Sequence, residues 1–399
     1  MSANESPQRS RLAWLPIARR IIGVLVIAGL AWATNQAIVQ WRDQVAAIDD
    51  EVSELETEVA NLRRRIAASE NASPSGETDP DDAFDGQAPE PASPPRDRLD
   101  KLSLRLEAVS RSRPRLANLN WRRIALAAVI YAIGLFPPAW LLRQAIRSMG
   151  QTCRLPTVVA AQLLGHAGKY VPGKAMVVVL RVGAMRRGGV AVLPGTVAVF
   201  VETLMMMAVG GCFAGVLLWF LPAPDWIRYA ALLVAVIAGL PTLPPILNLV
   251  IAKVVGRGGD AEAVAIPRGR AGSELFLAGW GYSLSAWIAI ATSFALLVTA
   301  LPLPGGETAG SSVMMGADRL GFACAAAISL AMVVGFASLI PGGAGIRELV
   351  LTTMLSPVIG TPHALLAAVA VRALFLVVEC LTAAAAWAWL EKFTHTNDR

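Results

Sequence analysis

Hydrophobic positions in this chain follow two rhythms. Unbroken apolar stretches at 124–142, 192–221, 226–250, 274–301, 318–340 and 362–390 are each long enough to cross a bilayer, and Ile21–Gln40 is just long enough. About seven spanning helices are expected, and Tyr131, Trp140, Trp219, Trp226 and Trp280 lie near several ends, where aromatic belts belong. After the first stretch the rhythm changes. Val45, Ile48, Val52, Leu55, Val59, Leu62 and Ile66 recur at alternating spacings of three and four, with Asp49, Glu51, Glu54, Glu56 and Glu58 between them. That is a heptad seam of about three repeats. Leu99, Leu102, Leu106 and Val109 resume the spacing. Asn71–Pro95 is rich in Ser, Pro, Asp and Glu, so a disordered linker is predicted over 71–97. The two amphipathic segments, 45–66 and 99–109, either fold back as a helical hairpin or pair with a second copy or an envelope protein. An exposed helix with a single apolar stripe fits the pattern as well.

Two apolar segments are interrupted. Leu155–Arg187 is broken at Gly165-His166-Ala167-Gly168-Lys169-Tyr170-Val171-Pro172-Gly173-Lys174, and Ser338–Pro357 at Ile340-Pro341-Gly342-Gly343-Ala344-Gly345. Val-Pro-Gly-Lys-Ala in the first lies over Ile-Pro-Gly-Gly-Ala in the second. Proline removes a backbone donor and glycine permits a turn, so each break predicts the tip of a re-entrant hairpin. Irregular backbone at membrane depth is tolerated only where protein or a watery cavity covers it. Paired broken segments in two halves of a chain point to a transport site and to an inverted repeat.

Composition sharpens this picture. The chain has 399 residues, 55% hydrophobic and only 16% charged, which excludes an ordinary soluble domain. Residues 1–121 hold 15 Lys/Arg against 18 Asp/Glu, and the rest 20 against 11. The basic excess belongs to membrane loops, so a pI near 9.4 does not argue for nucleic acid. Basic residues fall at 143–154, 186–187 and 251–273, whereas Pro302–Ala317 and Val358–Pro362 have none. The positive-inside rule therefore puts the basic loops in the cytoplasm. Arg111, Arg113, Arg115, Arg122 and Arg123 oppose that orientation. Residues 1–20 read as a cytoplasmic leader, 21–40 as the first span, 41–120 as extracytoplasmic, 121–391 as the membrane domain and 392–399 as a cytoplasmic tail. Ala31-Trp32-Ala33 also fits a cleavage site; apolar residues resuming at Ala37 favour a retained anchor. Counting from the first hairpin, three spans precede the second, which therefore enters from the opposite side.

The run Gly168-Lys169-Tyr170-Val171-Pro172-Gly173-Lys174, with Arg181, Gly188-Gly189-Val190 and Glu202, resembles the transmembrane region of lysylphosphatidylglycerol synthases and their stand-alone flippase-like relatives. Ser338-Leu339-Ile340-Pro341-Gly342-Gly343-Ala344-Gly345-Ile346-Arg347-Glu348 looks like that family's second signature. The resemblance covers about 120–390 and extends to the first span. It implies an integral inner-membrane domain that moves headgroup-modified lipids between leaflets. The chain stops nine residues after Leu390, leaving no room for an aminoacyl-transferase domain, so an enzyme is not expected.

Charges in apolar segments usually have a reason. Lys169, Lys174 and Arg181 surround the first tip and could cradle a phosphate diester with amides freed at Pro172-Gly173, or else snorkel to the surface. Tyr170 belongs to the same tip, and Pro341, Gly342 and Gly343 to the second. Glu348 caps the freed amides of the second returning helix or pairs with Arg347. Glu202 balances a hairpin cation or receives a substrate ammonium. Arg372 and Glu379, seven apart, read as a salt-bridge stripe on one helix face. No cofactor or metal site is expected, and Cys153, Cys212, Cys324 and Cys380 lie singly. The leading expectation is a flippase-like transporter whose partners are membrane lipids. The alternatives are a carrier of a small ion or metabolite, and a scaffold recruiting a cell-envelope enzyme through the coiled coil.

Overall fold

The computed structural model describes residues 39, 42–43, 46–47, 49–68, 95–111, 119–170, 175–221, 225–256, 266–301, 317–338, 343 and 345–397. The expected span at 21–40 lies outside them except for Val39. Among the described residues there are helices and no strands. The chain divides into two compact units, one of 42–119 with 301–314 and one of the remainder.

The smaller unit contains α1 (49–68) and α2 (Pro95–Arg111). Val52, Leu55 and Val59 of α1 are buried, while Leu99, Leu102, Leu106 and Val109 of α2 are half-buried. Glu51, near the start of α1, pairs with Arg105 in the second half of α2 at 3.3 Å. The exposed pair adds little stability, so the apolar seam carries the contact. A disordered linker reaching residue 97 is corrected here: α2 already begins at Pro95, whose missing N–H is harmless in a first turn.

The larger unit runs α3 (Trp121–Gly134), α4 (Pro137–Ser148), α5 (Leu155–Gly168), α6 (Ala175–Arg186), α7 (Val192–Trp219), α8 (Asp225–Gly239), α9 (Pro244–Gly256), α10 (Arg270–Ala300), α11 (Ala317–Ala337), α12 (Ile346–Ile359) and α13 (Thr361–Asn397). Five helical segments among the described residues are long and apolar enough to cross a membrane: Trp121–Ser148, Val192–Trp219, Arg270–Ala300, Arg319–Ala337 and His363–Lys392. The predicted span 226–250 is instead a pair, α8 and α9, bent by 60°. Pro241, Pro244 and Pro245 explain the break, since none can donate to a helix ladder. Counting that pair as one span gives six. The predicted span at 318–340 is α11, which is also the entering arm of the second hairpin.

The packing pairs the two halves of this unit. Helix α5 packs on α6, α11 on α12, α6 on α7, and α12 on α13. Across the halves, α5 lies against α13 and α11 against α7. Helices α4 and α10 precede the hairpins and touch each other. Each element thus meets the counterpart of its partner's neighbour, the exchange that a two-fold repeat requires. The arms are unequal: α5 has 14 residues and α11 has 21. Small residues bring the long helices together, as usual where lipid offers no hydrophobic drive. A Cβ on Gly210 of α7 would lie 2.2 Å from the ring of buried Trp287 on α10, and one on Gly279 would lie 2.1 Å from Met205 Sδ.

Candidate functional site

The first hairpin closes tightly because glycines face its returning arm. A Cβ on Gly168 would stand 2.8 Å from the backbone nitrogen of Val177, and one on Gly165 only 2.2 Å from Arg181 Nε. Arg181 is buried, and its Nη1 donates to Glu202 Oε2 at 2.6 Å. Gln162 Nε2 donates to the other oxygen at 3.1 Å, and Thr203 Oγ1 to Oε2 at 3.2 Å. Glu202 therefore balances a hairpin cation. Arg181 does not snorkel; it turns inward.

The second hairpin returns through Gly343 and Gly345, at φ +66° and +81°, where L side chains are strained. The Gly345 N–H donates to Glu348 Oε2 at 2.7 Å, which satisfies one freed amide of α12. The other carboxylate oxygen of Glu348 accepts from Arg372 Nη1 on α13. Arg347 passes between two glycines: a Cβ on Gly335 would meet its Cγ at 2.6 Å, and one on Gly343 its Nε at 2.8 Å. It has no acidic partner among the described residues.

Between these hairpins lies Glu379 of α13, fully buried. It accepts from Lys169 Nζ and Tyr131 Oη on one oxygen and from Tyr170 Oη at 2.8 Å on the other. Tyr131 stacks on Phe375 with ring centroids 3.6 Å apart. Three donors keep an isolated carboxylate bearable at this depth.

A cleft with about 450 Å³ of empty space, counting its open mouth, is lined by residues of both hairpins and α13. Lys169, Tyr170, Arg347, Glu348 and Arg372 form its polar side, while Ile328, Met332, Leu351 and Phe375 are among its apolar walls. Of the expected site residues, Lys169, Tyr170, Arg347 and Glu348 line it together. Arg181 and Glu202 do not; they form their own pair. Gly343 lies behind Arg347. Pro172, Gly173, Lys174, Pro341 and Gly342 lie outside the described residues.

Three expectations need correction. Arg372 and Glu379 share a face but do not pair, because each meets a closer partner from a hairpin. Of the two roles expected for Glu348, the cap is present, but its ionic partner is Arg372 and not Arg347, whose side chain runs back over Gly335. Tyr131 sits in no aromatic belt; it is buried with its hydroxyl on Glu379. Sequence reasoning missed Gln162 and the clearances at Gly165 and Gly335. A polar residue in an apolar helix and a glycine seven residues before Pro172 were the available signals.

The sequence profile described as the lysylphosphatidylglycerol synthase TM region matches residues 102–381, more than two thirds of the chain. The chain belongs to the lysylphosphatidylglycerol synthase transmembrane-region family. It is a multi-pass membrane protein of helices only, among the described residues. The family match includes both hairpins and the cleft but does not reach back to α1 or to 21–40. No curated protein matches the chain.

Proposed function

We propose that this protein moves a lipid with an anionic headgroup between the leaflets of the cell's inner membrane. The observation that carries the reading is the two-faced cleft. One side is charged and the other apolar, as a headgroup joined to acyl chains demands. Charge agrees: of the cleft's Lys169, Arg347 and Arg372, the first pairs with Glu379 and the last with Glu348, so one positive charge is uncompensated among the described residues. An unbalanced charge inside a membrane is costly and calls for a partner. Arg372 Nε and Nη2 are buried donors without acceptors. Such groups are uncommon in finished sites and suit an anionic ligand.

Transport of this kind forms no covalent bond, so no enzyme activity is assigned. Family membership supports a lipid as cargo, since the family's description names a lipid synthase. Purified protein in vesicles carrying labelled phosphatidylglycerol tests the proposal. Label should exchange between leaflets faster than in protein-free vesicles. Exchange at the protein-free rate, with rapid uptake of a soluble anion by the same vesicles, would replace the lipid reading with a small-solute carrier.

A further inference from the structure

Each half carries an arginine on the returning arm of its hairpin, level with a glycine on the entering arm. Arg181 crosses Gly165, and Arg347 crosses Gly335. In both arginines Nε is buried and bonds nothing, so only the terminal nitrogens are left to recognise a partner. There the halves part. Arg181 meets the Glu202 carboxylate at 2.6 Å. Arg347 meets no acid among the described residues, and it borders the cleft.

The sequence says where the missing acid would stand. Glu202 lies 30 residues beyond Pro172, and the same step from Pro341 reaches Val371. It lies 21 beyond Arg181, and the same step from Arg347 reaches Ala368. Ala368 and Val371 are one turn apart on α13, and both line the cleft. Where the first half supplies a carboxylate, the second supplies two small apolar side chains on the cleft wall.

We propose that Arg347 is the anion receptor of the cleft, and that a monoanionic phosphate diester takes the place that the Glu202 carboxylate fills in the first half. A diester carries one charge, which matches the single surplus cation, and offers two oxygens to the guanidinium fork. The first half is a permanently filled copy of the site, so one substrate is bound per chain. The inference rests on the reading of the cleft as a transport site.

The test uses the full chain in detergent, with binding followed by the thermal unfolding midpoint. Dihexanoyl phosphatidylglycerol, inorganic phosphate and uncharged dihexanoylglycerol are the probes. The phosphatidylglycerol should raise the wild-type midpoint and dihexanoylglycerol should not. Arg347→Gln should weaken phosphatidylglycerol binding by about tenfold or more, a charged hydrogen bond's share, and Arg347→Lys by less. Val371→Glu should abolish binding by supplying an internal carboxylate, while Val371→Gln, of the same size, retains it. The Val371 pair decides the matter even if the Arg347 variants fail to fold. Equal binding by Val371→Glu and Val371→Gln overturns the receptor role, as does wild-type affinity in Arg347→Gln. If inorganic phosphate shifts the midpoint as well as the lipid does, and Arg347→Gln abolishes both shifts, the receptor stands. In that outcome the lipid reading falls instead.

Discussion

Lys169 and Glu379 lie 210 residues apart and meet as an ion pair that ties the first hairpin to the last helix. Their environments differ. The Lys169 side chain is 21% exposed toward the cleft, and that of Glu379 is 0% exposed. Removing either partner of a buried pair typically costs about 3–5 kcal/mol. The cost should fall unequally here. Glu379→Gln leaves a lysine that can turn into the cleft and find water. Lys169→Met leaves a carboxylate with two tyrosine hydroxyls and no escape. Thermal unfolding in detergent should therefore show the larger loss for Lys169→Met, with the double variant recovering much of it. A larger loss for Glu379→Gln would mean that the cleft gives Lys169 no access to water.

Much of this arrangement was legible in the sequence, and its limits have physical causes. Proline and glycine disfavour a continuing helix, and on either side of the two Pro-Gly pairs α5 packs on α6 and α11 on α12. Charges within apolar segments were flagged because lipid makes them expensive. Their partners were not legible, because pairing follows from how helices cross and not from spacing along one of them. Arg372 and Glu379 share a face, yet α12 brings Glu348 closer to the first, and α5 brings Lys169 to the second. Tyr131 was placed at a membrane surface for the same reason. An aromatic near the end of an apolar run reads as an anchor until a buried carboxylate is known to face it. The bend between α8 and α9 was visible as three prolines within five residues, and the hydropathy of the whole stretch masked it.

Glycine clearances give a second test. A methyl group on Gly165 meets the stem of Arg181, with Nε, Cγ and Cδ all within 2.9 Å. The stem cannot step aside without pulling the guanidinium from Glu202. Gly165→Ala should lose about 1–3 kcal/mol, as overpacked sites do. Gly183 on α6 has open space around it, so Gly183→Ala should be neutral or stabilising by roughly 0.5–1 kcal/mol through helix propensity. Unfolding midpoints of the two variants should move in opposite directions, or only the first should move. Equal losses would show that any methyl added to this hairpin is disruptive, whatever Arg181 does.

The helical pair α1–α2 belongs to the smaller unit, and every residue lining the cleft belongs to the larger one. If lipid movement is a property of the membrane unit alone, deleting 44–110 should leave the vesicle exchange rate within about twofold of the full chain. The scaffold alternative predicts another division. The deletion would spare exchange in vesicles, abolish function in cells, and lose the partner captured through the α1–α2 pair. Loss of exchange in vesicles would assign the pair a direct part in transport.

Topology decides whether the two hairpins enter from opposite sides, and α8–α9 is the pivot. If the bent pair crosses the membrane, three crossings separate α6 from α11, and the second hairpin is inverted relative to the first. If it dips and returns, only two separate them and the hairpins enter from the same side. The loop charges favour the crossing, because Lys253, Arg257, Arg268 and Arg270 cluster between the last turn of α9 and the start of α10, and no Lys or Arg lies in Pro302–Ala317. Single cysteines at Pro80, Ala223, Glu262, Gly310 and Asn397, with the four native cysteines replaced, can be probed in intact cells with an impermeant thiol reagent. Pro80→Cys, Ala223→Cys and Gly310→Cys should react, while Glu262→Cys and Asn397→Cys stay protected until the cells are permeabilised. Matching behaviour at 223 and 262 would mean that α8–α9 does not cross. The paired packing of α5 on α13 and α11 on α7 would then belong to a parallel repeat, and alternating access would need a mechanism other than exchange between inverted halves.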